Sequence, residues 1–178
     1  MSQSVRTVIF GAFAAVGVAA LMVSGATGAS PRAKPRVVSF TPDGYVRVET
    51  VVTKSKERKY YVMTADKPLE FSLSGPTTVN ISTRLLFSVD MKGDQRYTVS
   101  VTQDTLTGHA QEVAAMTFTT RKSPVSTLAN GGQLVPGEGK RLKLTVPSGR
   151  HHYRIHLSGT PAREVAVRIL VPRNAIRP

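Results

Sequence analysis

The chain has no cysteine and no tryptophan. Without cysteine there is no thiol nucleophile, no Cys-ligated zinc site, no lipid-modified N-terminal Cys and no disulfide to brace a domain. Stability must come from burial and sheet hydrogen bonds, which about 150 residues can supply and 50 hardly can. Acids are scarce as well, eleven against 24 Lys and Arg, for a formal charge of +13. Helical periodicity is missing: beyond residue 36 no window keeps apolar residues at three-to-four spacing long enough for an amphipathic helix. Enzyme signatures are missing too. There is no Gly-x-Ser-x-Gly elbow, no His-Glu-x-x-His pair and no phosphate-cradling glycine loop. The acids are too scattered for the sequence to pair two of them for glycosidase chemistry.

What is present begins with a three-part leader. Arg6 precedes an uncharged run from Thr7 to Val23, followed by the small residues Ser24 to Ala29. That is the layout of a secretory signal peptide, with a cut expected after Ala29 or, alternatively, after Ala26. The apolar run is 17 residues, short of the roughly 20 that span a bilayer, although an uncleaved anchor is the alternative. Loss of residues 1–29 removes one Arg and no acid, so the mature chain keeps +12 of the +13. The compact Ala/Gly-rich leader points to a bacterial exported protein. Export turns so basic a chain away from nucleic acid and toward anionic envelope glycans, cell-wall polymers, lipid head groups or a protein partner.

Residues 30–36 carry two prolines, three cations and no large apolar side chain, so they read as an extended basic linker. From Val37 the pattern becomes period-two alternation, as in Leu69, Phe71 and Leu73, or Tyr97, Val99 and Val101. The expected fold of residues 37–178 is all-β: a two-layer antiparallel β-sandwich of roughly nine or ten strands. Strands are placed near 37–40, 45–52, 59–63, 69–74, 78–89, 95–103, 112–120, 141–146, 152–157 and 164–171. Gly75-Pro76 and Pro147-Ser148-Gly149 read as turns between them. Residues 121–140 lack alternation and read as a long connection between sheets. A shift of 84 residues also lays Phe71 to Phe87 over Ile155 to Val171, matching Leu-Ser-Gly with Leu-Ser-Gly and Arg84 with Arg168. That match suggests a duplicated hairpin-plus-strand unit.

The candidate sites are cationic. A hairpin from Arg141 to Leu157 would project Arg141, Lys143, His152, Arg154 and His156 outward, because Leu142, Leu144, Tyr153, Ile155 and Leu157 claim the core. Such a surface suits phosphate or carboxylate groups, or it guards a sheet edge against pairing. Arg84 and Arg168 would add a matched pair of anion contacts, or else pair with a carboxylate such as Glu70 or Glu164. No metal site follows from the histidines, since His152 and His156 lie about 13 Å apart along a strand and zinc holds nitrogen at about 2 Å. No catalytic residue and no cofactor is expected. The sequence thus leads to an exported, non-catalytic binding or structural accessory of the bacterial envelope. The alternatives are a small envelope hydrolase or polysaccharide-processing enzyme, favoured by a cleft holding two carboxylates, and a subunit of a surface assembly, favoured by a long uncovered edge.

Overall fold

The computed structural model describes residues 36–105, 108–159 and 164–175. The signal-peptide segment and all of the basic linker except Arg36 lie outside the described residues. Among the described residues ten strands follow in order: β1 (Val37–Phe40), β2 (Arg47–Thr53), β3 (Lys56–Met63), β4 (Leu69–Phe87), β5 (Gln95–Asp104), β6 (Ala110–Thr120), β7 (Ser126–Leu128), β8 (Val135–Pro136), β9 (Lys140–Ser158) and β10 (Val165–Pro172). A 3-10 turn, Arg173–Ala175, comes after them. Every strand pairing is antiparallel, and the fold is all-β as the alternation requires.

Hydrogen bonding runs along one path, β6-β5-β9-β4-β10-β3-β2-β7, with β1 on β10 and β8 on β4. That path cannot lie flat. Its eight strands would separate β6 from β7 by about 34 Å at normal strand spacing. The chain from Thr120 to Ser126 reaches at most about 22 Å. The sheet therefore folds over, and its two halves face each other across the main core, while Val51, Tyr60, Val62, Leu86, Leu128 and Ala166 form a second, smaller cluster. Phe71, Tyr97, Val99 and Tyr153 from one layer meet Ile81, Leu85, Leu144 and Val167 from the other, all at most 1% exposed. Thr83 Oγ1 and Tyr97 Oη, 2.9 Å apart, form a hydrogen bond across the layers.

The fold-over is made by β4 and β9, each 19 residues long. Here the sequence reading needs correction. Residues 69–74 and 78–89 are not separate strands around a turn, and 141–146 and 152–157 are not a hairpin. Gly75 lies opposite Ser148 and Gly149 in the β4–β9 ladder. Two turn-like segments that face each other across a ladder cannot each reverse the chain, so together they make a bulge that bends both strands. The extra residue in β9 switches its parity, which is why Leu142, Leu144 and Val146 and then Tyr153, Ile155 and Leu157 are all buried. A Cβ at Gly75 would fall 1.9 Å from the Pro147 carbonyl oxygen, so only glycine fits there.

The suggested duplication fails for the same reason. Gly75 sits in a mid-strand bulge, whereas Gly159 follows the end of β9 with φ +66°. The edge-guard reading fails for residues 153–158 of β9, which lie between β5 and β4. Among the described pairings residues 140–146 pair with β4 alone, so Arg141 and Lys143 stand on an edge as that reading requires. The segment 121–140 joins the two ends of the path. Short pairings fix it in place: β7 against β2, β8 against Leu86 and Phe87, and Lys122 against Gly137.

Candidate anion-binding face

On β4 beyond the bulge, Ile81, Thr83 and Leu85 point into the core, so Asn80, Ser82 and Arg84 belong to the outer face. Register then aligns cross-strand rows on that face. Ser82 pairs with Arg168 on one side and Arg141 on the other; Asn80 pairs with Leu170 and Lys143; Arg84 pairs with Ala166, which in turn pairs with Val62 of β3. Neighbouring strands are about 4.8 Å apart. Arg84, Arg168, Arg141 and Lys143, remote in sequence, therefore share one patch on three adjacent strands.

Part of this patch is concave. A recess of about 320 Å³ is walled by Arg58 of β3, Arg84 of β4, and Lys140 and Arg141 of β9. Tyr60, Ser82 and Gly139 complete the lining, and no carboxylate contributes to it. Arg58 and Lys140 were absent from the sequence-derived set. Arg58 was missed because β3 begins three residues earlier than its alternation shows. Lys140 was missed because it has the inward parity of Leu142 and Leu144, yet sits at the end of β9, where it lines the recess.

Arg84 is held unusually. It is 8% exposed, Nη1 donates to the Gly137 carbonyl oxygen at 2.7 Å, and Nε is buried without a partner. The Pro136-Gly137-Glu138-Gly139 segment makes this possible. Gly137 N–H donates to the Leu85 carbonyl, which docks the loop on β4, and Gly139 leaves room for the guanidinium. Arg168 repeats the pattern with a second buried, unpartnered Nε. Neither pairs with Glu70 or Glu164, the partners the sequence suggested. Glu164 accepts two bonds from Arg47 at 2.6 Å, and Glu49 accepts a third from the same guanidinium at 2.7 Å. The Glu164 hydrogen bonds raise the Arg47 pKa well above its ordinary value. Glu138 is drawn to Arg121 at 2.8 Å and reaches Lys140 only at 3.7 Å. Among the described residues, Arg58, Arg84, Arg141, Lys143 and Arg168 have no carboxylate within 4 Å.

The remaining candidates lie elsewhere. Beyond the bulge β9 belongs to the other layer, and its outer face carries His152, Arg154 and His156. Arg154 is already neutralised, with Nε donating to Glu70 at 3.1 Å and Nη1 to Asp104 at 2.8 Å. His152 meets Glu70 at 3.4 Å and Ser72 at 3.1 Å, and His156 meets Thr102 at 3.1 Å. The two acids the sequence could not pair do converge, but onto one Arg. The structure thus divides the seven candidates into an unpaired cationic group, Arg84, Arg141, Lys143 and Arg168, and a group engaged with its own neighbours, His152, Arg154 and His156.

No protein-family model and no curated protein matches the chain. Among solved structures it is similar to the C-terminal CBM6 of LamC, a marine laminarinase from Zobellia galactanivorans. The identity is 10% and the TM-score 0.38, over 78% of this chain and 100% of that one. It is also similar to the xylan-binding module CBM15, at 9% identity and TM-score 0.32, over 79% of this chain and 98% of that one. Likeness at this level fixes neither the ligand nor the binding surface of this chain.

Proposed function

We propose that this protein is an exported, non-catalytic β-sandwich that holds an acidic polymer of the bacterial envelope on the outer face formed by β9, β4, β10 and β3. One observation carries the reading: Arg58, Arg84, Arg141, Lys143 and Arg168 gather on one outer face with, among the described residues, no carboxylate within 4 Å. Cations kept for solubility alone are normally dispersed or paired, and edge protection, which suits Arg141 and Lys143, does not account for Arg84 and Arg168 on strands paired on both sides. The experiment is binding of the full chain to acidic polymers across a salt series. Affinity should fall steeply as salt rises, because charges beyond about 8 Å are screened at physiological ionic strength. No binding to any acidic polymer at low salt would overturn the reading. Export carries its own test. Intact mass from an exporting host should begin at Ser30, and a full-length species retained in membrane would replace secretion with an anchor.

A second reading has its own observation. β6 ends the sheet path, spans 11 residues, and presents Glu112 as its one charge, with Val113 and Met116 exposed. An edge of that length without Lys or Pro pairs readily with another strand. The partner that matches it is a second copy of β6 in antiparallel register. Met116→Lys should reduce self-association measured by sedimentation. A parent chain that stays monomeric at high concentration would exclude this assembly.

A further inference from the structure

We propose that the recess around Arg84 is a binding site for a tetrahedral oxyanion, a phosphate or sulfate group, and that the protein reads this group on its acidic ligand in preference to a carboxylate. The proposal rests on the anion-binding reading above and sharpens it.

A guanidinium does not shed its proton to relieve burial, because its pKa is above 12. Burying one without a counter-charge costs several kcal/mol. Among the described residues Arg84 meets one acceptor, the Gly137 carbonyl, while Arg58 and Arg141 add like charge to the same recess. The arrangement is electrostatically unfavourable by itself and becomes favourable once a compact anion binds. The donor geometry selects among anions. A carboxylate offers two oxygens in one plane, which a single arginine fork satisfies. Here three forks and an ammonium come from three different strands, β3, β4 and β9, and enclose a volume rather than a plane. A phosphate or sulfate group presents two or three outward oxygens around a tetrahedral centre, which forks approaching from three strands can share. A phosphate monoester also carries a charge near −2, where a carboxylate carries −1. Ser82 supplies a hydroxyl donor in the lining. Gly139 keeps the wall beside Arg84 free of a side chain, and a Cβ there would stand 3.3 Å from Nη2.

The test measures binding of the full-length chain to three polymers at one fixed ionic strength: polyphosphate, heparin and polygalacturonate. The first two bear phosphate and sulfate, and the third bears only carboxylates. Polyphosphate, heparin or both should bind at least about tenfold tighter per charge than polygalacturonate, and the difference between those two identifies the group. Arg84→Gln should abolish that preference while salt-sensitive binding through Arg141 and Lys143 persists. Arg84→Lys, which keeps the charge but loses the fork, should also lose it. If the Gln variant misfolds, the parent protein supplies the decision. Inorganic phosphate or sulfate should raise its melting temperature in a saturable way at constant ionic strength, and acetate should not. Equal binding of polygalacturonate, or a preference that survives Arg84→Gln in a folded protein, overturns this proposal and leaves the broader reading standing. Failure of all three polymers to bind overturns both.

Discussion

Gly139 lies against the guanidinium of Arg84, so close that a Cβ built on it would meet Nη2 at 3.3 Å and Cζ at 3.5 Å. Its φ is not left-handed, so alanine suits the backbone there and even removes some unfolded-chain entropy. Gly139→Ala should therefore leave the melting temperature unchanged or slightly higher. It should still weaken phosphate or sulfate binding several-fold, because Arg84, anchored on Gly137, must give by a few tenths of an ångström. Calorimetric titration beside thermal melts checks both. Unaltered affinity would mean that Arg84 does not touch the ligand.

Alternation told truly which residues face inward. Phe71, Val99, Leu144, Ile155 and Val167 are all in the core, because period two is a local property of a strand and burial on one face is all it needs. What was illegible was connectivity. Gly75-Pro76 and Pro147-Ser148-Gly149 carry the same chemistry whether they reverse a chain or bend it, and only their juxtaposition in a ladder decides. The site inherited that ambiguity. Arg141 and Arg154 seemed to share one hairpin surface, yet the bulge sends them to different layers. Arg84 and Arg168, read as equivalents in a repeat, are instead diagonal neighbours on paired strands. Arg58 had no local mark at all.

The bend itself is testable at Gly75. An added Cβ would sit 1.9 Å from the Pro147 oxygen and 2.7 Å from that of Val146, both backbone atoms in a paired strand that cannot step aside. Gly75→Ala should cost about 3 kcal/mol, near the upper end for overpacking, or roughly 10 °C of melting temperature for a domain of this size. Gly93, at φ +65° with nothing within 4 Å of its absent Cβ, is the control. Its alanine variant should lose only about 1 kcal/mol. Melts in which the two variants fall equally would refute the bulge as the point where both strands turn.

The division of the cations into paired and unpaired groups separates two arginines the sequence had joined. Arg154→Gln should leave polymer affinity within about twofold, since Glu70 and Asp104 already engage that charge, and should cost no more than about 1 kcal/mol of stability at this partly exposed site. Arg141→Gln, on an exposed position with no carboxylate within 4 Å among the described residues, should lower affinity several-fold without loss of stability. Affinity measured at one salt concentration settles it. If Arg154→Gln weakens binding as much as Arg141→Gln, the ligand lies across both layers and the site has been drawn on too small a surface.

Alkaline titration probes the contact between the layers. Burial pushes the Tyr97 hydroxyl up to about 12 from an ordinary 10.0, against a smaller opposing effect of its hydrogen bond to Thr83. A group whose pKa is raised on folding contributes stability that is complete below its unfolded value and lost as pH climbs through its folded one. The parent should therefore hold its Tyr97 contribution to about pH 10 and lose roughly 3 kcal/mol of it between pH 10 and 12. Burial raises Tyr153 as well, so a Tyr97→Phe variant keeps some alkaline sensitivity but less than the parent. At pH 8 the variant should be less stable by about 1–2 kcal/mol, because Thr83, fully buried, loses its partner. The two stability curves, taken by urea unfolding at each pH, should converge above pH 10. Curves that stay parallel to pH 12 would mean that Tyr97 ionises as freely in the folded chain as in the unfolded one, and that the facing layers do not seal it from water.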